Sequence, residues 1–183
     1  GDTRDALSPQ DGLWTVATVD ADGARHRVVG SSTGMMVAHE DPTGLSIRLA
    51  QPEVRIVSTT VTEKGYSHDP ATGRLNEDDP DIRHDLVHLD RPRSTIGTIA
   101  AGLKRRRDAR LAPFTVLACD NLPANGRTLR GLVTRFAELV DPDFGAWVAG
   151  EVRFPSTMVD RIVPATTDAD RAAISAAIGL EDA

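Results

Sequence analysis

Cysteine is nearly missing from this sequence of 183 residues: Cys119 stands alone, which excludes an internal disulfide and a Cys-rich zinc site. Such cysteine usage predicts a reducing, cytoplasmic compartment. No run of 18 apolar residues occurs, so no membrane span is expected, and the start has no basic-then-apolar leader pattern. Positive charge is in deficit, with 21 Lys and Arg against 27 Asp and Glu, a net charge of −6. That balance argues against nucleic acid or an anionic membrane as the partner of the whole chain. A glycine-rich GxGxxG turn is also missing; "VVGSSTGM" follows a hairpin strand and lacks the spacing. Pattern alone therefore does not argue for a complete dinucleotide-binding domain. No Ser or Cys stands in a nucleophile elbow, and no internal repeat is visible.

What is present suits one sizeable soluble domain, with 40% apolar and 26% charged residues. "LWTVATV" and "RHRVVG" read as strands around the turn Asp20-Ala21-Asp22-Gly23. Asp41-Pro42 opens a short helix with Leu45 and Leu49 on one face. "VRIVSTTVTE", residues 54–63, is almost continuously β-branched and predicts a strand buried on both faces. Residues 66–93 form a long Asp/Pro/Gly-rich excursion containing the helical segment "PDIRHDLVH". Ser94 caps a helix to Leu111 whose stripe is Ile96, Ile99, Ala100 and Leu103. "FTVLACD" is a second buried-type strand. Helices over about 126–140 and along "PDFGAWVAG" follow, then a strand-like start to "EVRFPSTMVDRIVP" and a capped amphipathic tail. Strands alternating with helices predict an α/β fold with a mostly parallel sheet, plus the hairpin near the start.

Ligands of open α/β sheets bind beyond the carboxyl ends of the strands. Three candidate strands end there in polar residues: Thr62-Glu63, Asp120-Asn121 and Asp160-Arg161. Asn121 cannot titrate, so it can donate a hydrogen bond to an oxygen gaining negative charge at any pH; alternatively Asp120-Asn121 only forms an Asx turn. Glu63, just before Gly65, can relay a proton or hold a hydroxyl, or form an ion pair with Lys64 or Arg161. Arg161 can fork onto a substrate carboxylate, or Asp160 and Arg161 can pair with neighbours across the rim as scaffold ion pairs that fix the loop. His84 and His88, four apart, with His68 as a third ligand, lack a carboxylate or Cys partner at defined spacing, so no metal site is predicted. "LKRRRDAR" sits in the last turns of a helix, where cations suit the dipole and face solvent.

Taken together, "RIVSTTVTEKGY", "FTVLACDNLPANG" and "VRFPSTMVDRIVPATT" resemble three signature stretches of the long-chain mannitol dehydrogenase family, in the same order and at similar separation. That family includes mannitol 2-dehydrogenase, fructuronate reductase, altronate oxidoreductase and arabinitol dehydrogenase. The likeness covers about residues 5–170. It implies part of an N-terminal Rossmann-type domain, over residues 1–165, with 166–183 a helix leading onward. It further implies NAD-dependent, metal-independent hydride transfer at C2 of a ketose or keto-sugar acid, with no nucleic-acid or membrane partner. By the resemblance Asn121 polarises the substrate carbonyl, Glu63 lines the proton path, and Asp160 sits by the substrate with Val159 beside it. The wording "TVTEKGY" and "MVDRIVPAT" leans toward fructuronate reductase over mannitol 2-dehydrogenase. The family's glycine-rich loop and its catalytic Lys…Asn…His motif are not in this sequence, so the 183-residue chain is expected to be inactive alone. The rival expectation is a non-catalytic α/β module for sugar binding or assembly; a short-chain-type mechanism would need Tyr-x-x-x-Lys, and Tyr66 is followed by Pro70 instead of Lys.

Overall fold

The computed structural model describes residues 2–69, 71–159 and 165–181, with the backbone alone at Asp2, Glu63 and Lys64. The elements follow in the order α1 (Asp2–Leu7), β1 (Trp14–Asp20), β2 (Gly23–Val29), α2 (Pro42–Leu49), β3 (Ile56–Thr59), α3 (Pro80–Val87), α4 (Thr95–Asp108), β4 (Thr115–Ala118), α5 (Asn125–Val140), α6 (Pro142–Glu151) and α7 (Asp168–Ile178). Single 3-10 turns lie at Ser8–Gln10 and Glu63–Tyr66. The chain divides into two compact units: Gly1–Val37 with Arg161–Ala183, and Ala38–Asp160.

In the first unit β1 and β2 form an antiparallel hairpin with Asp20 opposite Gly23, so Ala21-Asp22 is a two-residue turn. Asp20 Oδ1 accepts from the Asp22 amide at 2.9 Å, and Gly23 takes φ 118, open to glycine at no steric cost. α7 starts with a capping box: Thr167 Oγ1 accepts from the Asp170 amide, and the Asp170 carboxylate accepts from the Thr167 amide at 2.8 Å.

In the second unit β3 and β4 pair in parallel, Ile56 opposite Thr115 and Thr59 opposite Ala118. On the other side of β4 the run 152–157 is extended: the Val116 amide donates to the Arg153 carbonyl at 3.0 Å. It carries that one ladder bond, which makes it strand-like without being a full strand. The expected caps form, Asp41 taking the Gly44 amide at 2.8 Å and Ser94 Oγ taking the Gly97 amide at 2.9 Å. Ile96, Ile99 and Leu103 of α4, Leu129, Leu132, Val133 and Phe136 of α5, Phe144 and Val148 of α6, and Phe114 and Val116 make one core. α5 and α6 meet so closely that a Cβ at Gly145 would lie 2.8 Å from Glu138 Cα, so only glycine fits this contact.

Two expectations are corrected. β3 is not buried on both faces: Ile56 is 59% exposed and the strand ends at Thr59, before the 3-10 turn. Its only strand neighbour among the described residues is β4, so it behaves as an edge strand, and β-branching reported strand propensity and not burial. The basic run at the end of α4 does not simply face solvent either. Arg106 is 3% exposed and donates to the carbonyls of Leu49, Gln51, Val54 and Ala112, tying the segment after α2 to the end of α4. Its burial pulls the guanidinium below its ordinary pKa. Among the described residues no helix is long and apolar enough to cross a membrane, and no cluster of three His, Cys, Asp or Glu could hold a metal ion.

Candidate functional site

Parallel pairing decides where the ends of β3 and β4 go: both leave the sheet at the same edge. The Cys119 amide extends the ladder by donating to the Thr59 carbonyl at 2.8 Å. Past that edge the chain makes two turns, one through Glu63–Tyr66 and one through Asp120-Asn121, and a buried phenol joins them. Tyr66 is 1% exposed; its hydroxyl lies 2.6 Å from Thr59 Oγ1 and donates to the Asp120 carboxylate, itself buried. Burial, and then the bond to Asp120, push the Tyr66 phenol well above its usual pKa, so it stays a neutral donor. The phenol thus ties the turn that carries Glu63 to the residue just before Asn121.

A second tie brings in the third segment. Asn125, 1% exposed at the start of α5, places its amide nitrogen 3.2 Å from the Ala118 carbonyl, 3.0 Å from the Asp120 carbonyl and 3.1 Å from Thr157 Oγ1. Its oxygen accepts from the Gly126 amide at 2.8 Å and the Thr157 amide at 3.1 Å. Thr157 Oγ1 donates to the Ala118 carbonyl at 2.6 Å. The extended run therefore passes the same edge, and Val159, 42% exposed, stands two residues beyond.

Asn121 is exposed, and its carboxamide has no hydrogen-bond partner among the described residues. The Asx-turn alternative does not form, since the Asp120 carboxylate goes to Tyr66. Glu63 lies in the 3-10 turn beyond β3, one element later than the strand end expected for it. Asp160 and Arg161 lie outside the described residues. At the rim the exposed Asn121 carboxamide is a neutral hydrogen-bond donor, carried on a turn that the buried Tyr66–Asp120 bond fixes; a carboxamide so placed can donate to a ligand oxygen. Among the described residues no glycine-rich cradle for a diphosphate accompanies it, and Gly126 is no substitute, because a Cβ there would lie 2.5 Å from the Phe154 carbonyl oxygen. Sequence reasoning missed Tyr66, Thr59 and Asn125. The available signal for Tyr66 was that the sole tyrosine follows Gly65, three residues after Glu63; a polar residue opening an otherwise apolar helix face marked Asn125.

Comparison with known proteins agrees along the whole chain. The chain is 45% identical over 179 residues to mannitol 2-dehydrogenase of Cereibacter sphaeroides, covering 98% of this chain and 37% of that one. Its fold matches Pseudomonas fluorescens mannitol 2-dehydrogenase, solved as a ternary complex with NAD and D-mannitol, with TM-score 0.93 and 41% identity over 98% of this chain and 37% of that one. It matches a D-sorbitol dehydrogenase in substrate-free form with TM-score 0.94 and 32% identity, over 99% of this chain and 38% of that one. The chain thus spans 37% of the length of the first of these relatives. The model of the mannitol dehydrogenase Rossmann domain matches residues 1–181, and the chain belongs to that family.

Proposed function

We propose that this chain forms the substrate-facing rim of an NAD-dependent polyol dehydrogenase that interconverts a sugar alcohol, or its acid, and the 2-keto form. The observation that carries this reading is the Tyr66 tie between the Glu63 turn and Asp120, which leaves the Asn121 carboxamide unpaired at the sheet edge. Support comes from the 41% identity to an enzyme solved with NAD and D-mannitol. NAD, when bound, accepts or supplies the hydride.

The residues of this chain supply part of the remaining chemistry. Asn121 donates its amide N–H to the substrate oxygen as that oxygen gains negative charge, a contact stronger in the transition state than in the ground state. Glu63 passes the oxygen's proton toward solvent. Val159 and Asp160 hold the sugar chain, and Arg161 receives a terminal carboxylate where the substrate is a sugar acid. The fructuronate–mannonate pair is preferred over fructose–mannitol on the wording around Glu63 and Asp160.

Assay of the full-length protein with fructose, fructuronate, mannitol and mannonate, each with NAD(H) and NADP(H), tests the reading. We expect reduction of a 2-keto substrate, and a loss of about 100- to 1,000-fold in kcat on Asn121→Ala with little change in KM. Wild-type activity in that variant sinks the role of Asn121; silence across the panel sinks the dehydrogenase reading. The 183-residue chain alone is expected to show no turnover.

A further inference from the structure

A cleft of about 570 Å³ lies where the start of α2 meets the α3–α4 connection, and none of the residues assigned to the rim lines it. His39, His84, Arg91 and Arg93 line it, and no acidic residue does, in a chain whose net charge is −6. We propose that this cleft is a binding site for a small oxyanion, a phosphate group held between the Arg91 and Arg93 guanidinium groups. The inference does not depend on the dehydrogenase reading.

Neither guanidinium has a hydrogen-bond or ion-pair partner among the described residues, whereas Arg106, Arg107 and Arg135 are all engaged. Two nearby acids, Asp41 and Asp85, are committed elsewhere. Asp41 caps α2 through the Gly44 amide at 2.8 Å. Asp85 is fully buried and accepts from the Arg93 amide at 2.8 Å, the Ser94 amide at 2.8 Å and Ser94 Oγ at 2.7 Å. His84 Nδ1 lies 2.9 Å from the same carboxylate, which has only acceptors to offer; Nδ1 therefore donates, and Nε2 is the ring's remaining polar atom.

This arrangement is built rather than incidental. A Cβ at Gly97 would fall 2.1 Å from Asp85 Oδ2, so the first turn of α4 accommodates the buried carboxylate only through glycine. The Arg-Pro-Arg backbone is pinned at both ends, the Arg91 amide on the His88 carbonyl at 2.9 Å and the Arg93 amide on Asp85. Between them Pro92 is buried and fixes its own φ. Two forked donors are thus carried on a backbone that loses little freedom when a ligand arrives, the condition under which guanidinium pairs hold phosphate well.

Titration of the intact protein with inorganic phosphate at constant ionic strength, followed calorimetrically, tests the site. We expect one saturable event, weakened roughly tenfold or more in Arg91→Gln/Arg93→Gln, as loss of charge-assisted bonds requires. Arg127→Gln, an exposed arginine on α5, should leave it unchanged. Phosphate should still bind with NAD at saturation. Absence of saturable binding, equal weakening by both variants, or displacement by NAD overturns the assignment; the last would make the cleft part of a dinucleotide site. Glucose 6-phosphate separates a sugar phosphate, which would bind more tightly than phosphate, from the free ion, which would not.

Discussion

Within the described residues, every buried apolar side chain belongs to the unit from Ala38 to Asp160, while the β1–β2 hairpin leaves Val19 76% and Val28 55% exposed. Both regions are regular. The hairpin runs in full register over seven residue pairs, and α7 has a complete capping box. The difference teaches that turn and cap chemistry suffices to shape an element, whereas a core is what stabilises it; an isolated two-stranded hairpin is marginal in water. The candidate site stands on the packed side of this contrast. Its turns are held by buried polar groups fixed against the core, which is what a site that must position a carboxamide requires.

The largest expected effect comes from the core itself. Phe136→Ala should cost about 3–5 kcal/mol in urea unfolding, by lost transfer energy and the cavity left behind. Val19→Ala should change stability by no more than about 0.5 kcal/mol; a cost near that of Phe136→Ala would erase the contrast. Next, Asn125→Ala removes the amide that joins Ala118, Asp120 and Thr157, leaving buried partners unpaired at about 1–3 kcal/mol. Thr167→Ala, which removes an exposed cap of α7, should cost about 1 kcal/mol, and a larger cost there than at Asn125 would reverse the ranking.

Tyr66 sharpens the comparison through pH. Its folded-state pKa is raised, mainly by burial and then by Asp120, so its contribution to stability is complete below the ordinary phenol pKa of about 10 and is lost as pH climbs beyond it. Tyr66→Phe should cost about 1 kcal/mol at neutral pH and flatten the fall in stability above about pH 10. Because Tyr66 is the only tyrosine, tyrosinate absorbance reports this group alone, and it should appear only with unfolding. Ionisation near pH 10 in the folded protein, at about the model-peptide value, would mean the phenol is not enclosed. The smallest effect is kinetic: amides of α4 and α5 should exchange with solvent far more slowly than those of β1 and β2.

Much of the fold was legible. Asp41-Pro42, Ser94 and Thr167 announced helix starts, and the Asp20–Gly23 segment announced a turn, because those residues satisfy or bend the backbone within a few positions of themselves. The burial of β3 was misread, since Ile56, Val57 and Thr59 advertise a strand but not how many neighbours it has. For the site, Asn121 and Glu63 could be named from strand ends and family likeness. Tyr66, Asp120 and Asn125 could not be assigned their work, because Tyr66 and Asp120 are 54 positions apart and Asn125 and Thr157 are 32 apart.

The sequence by itself determined the local elements, the scarcity of cysteine and the family to which these motifs point. The tertiary structure alone decided that Arg106 is interior, that Asp85 is sealed beneath α4 beside the Arg91–Arg93 cleft, and that one phenol locks two turns together. The physical reason is range: caps and turns are settled by neighbours along the chain, whereas burial and hydrogen-bond partnership depend on which distant segments the core brings into contact.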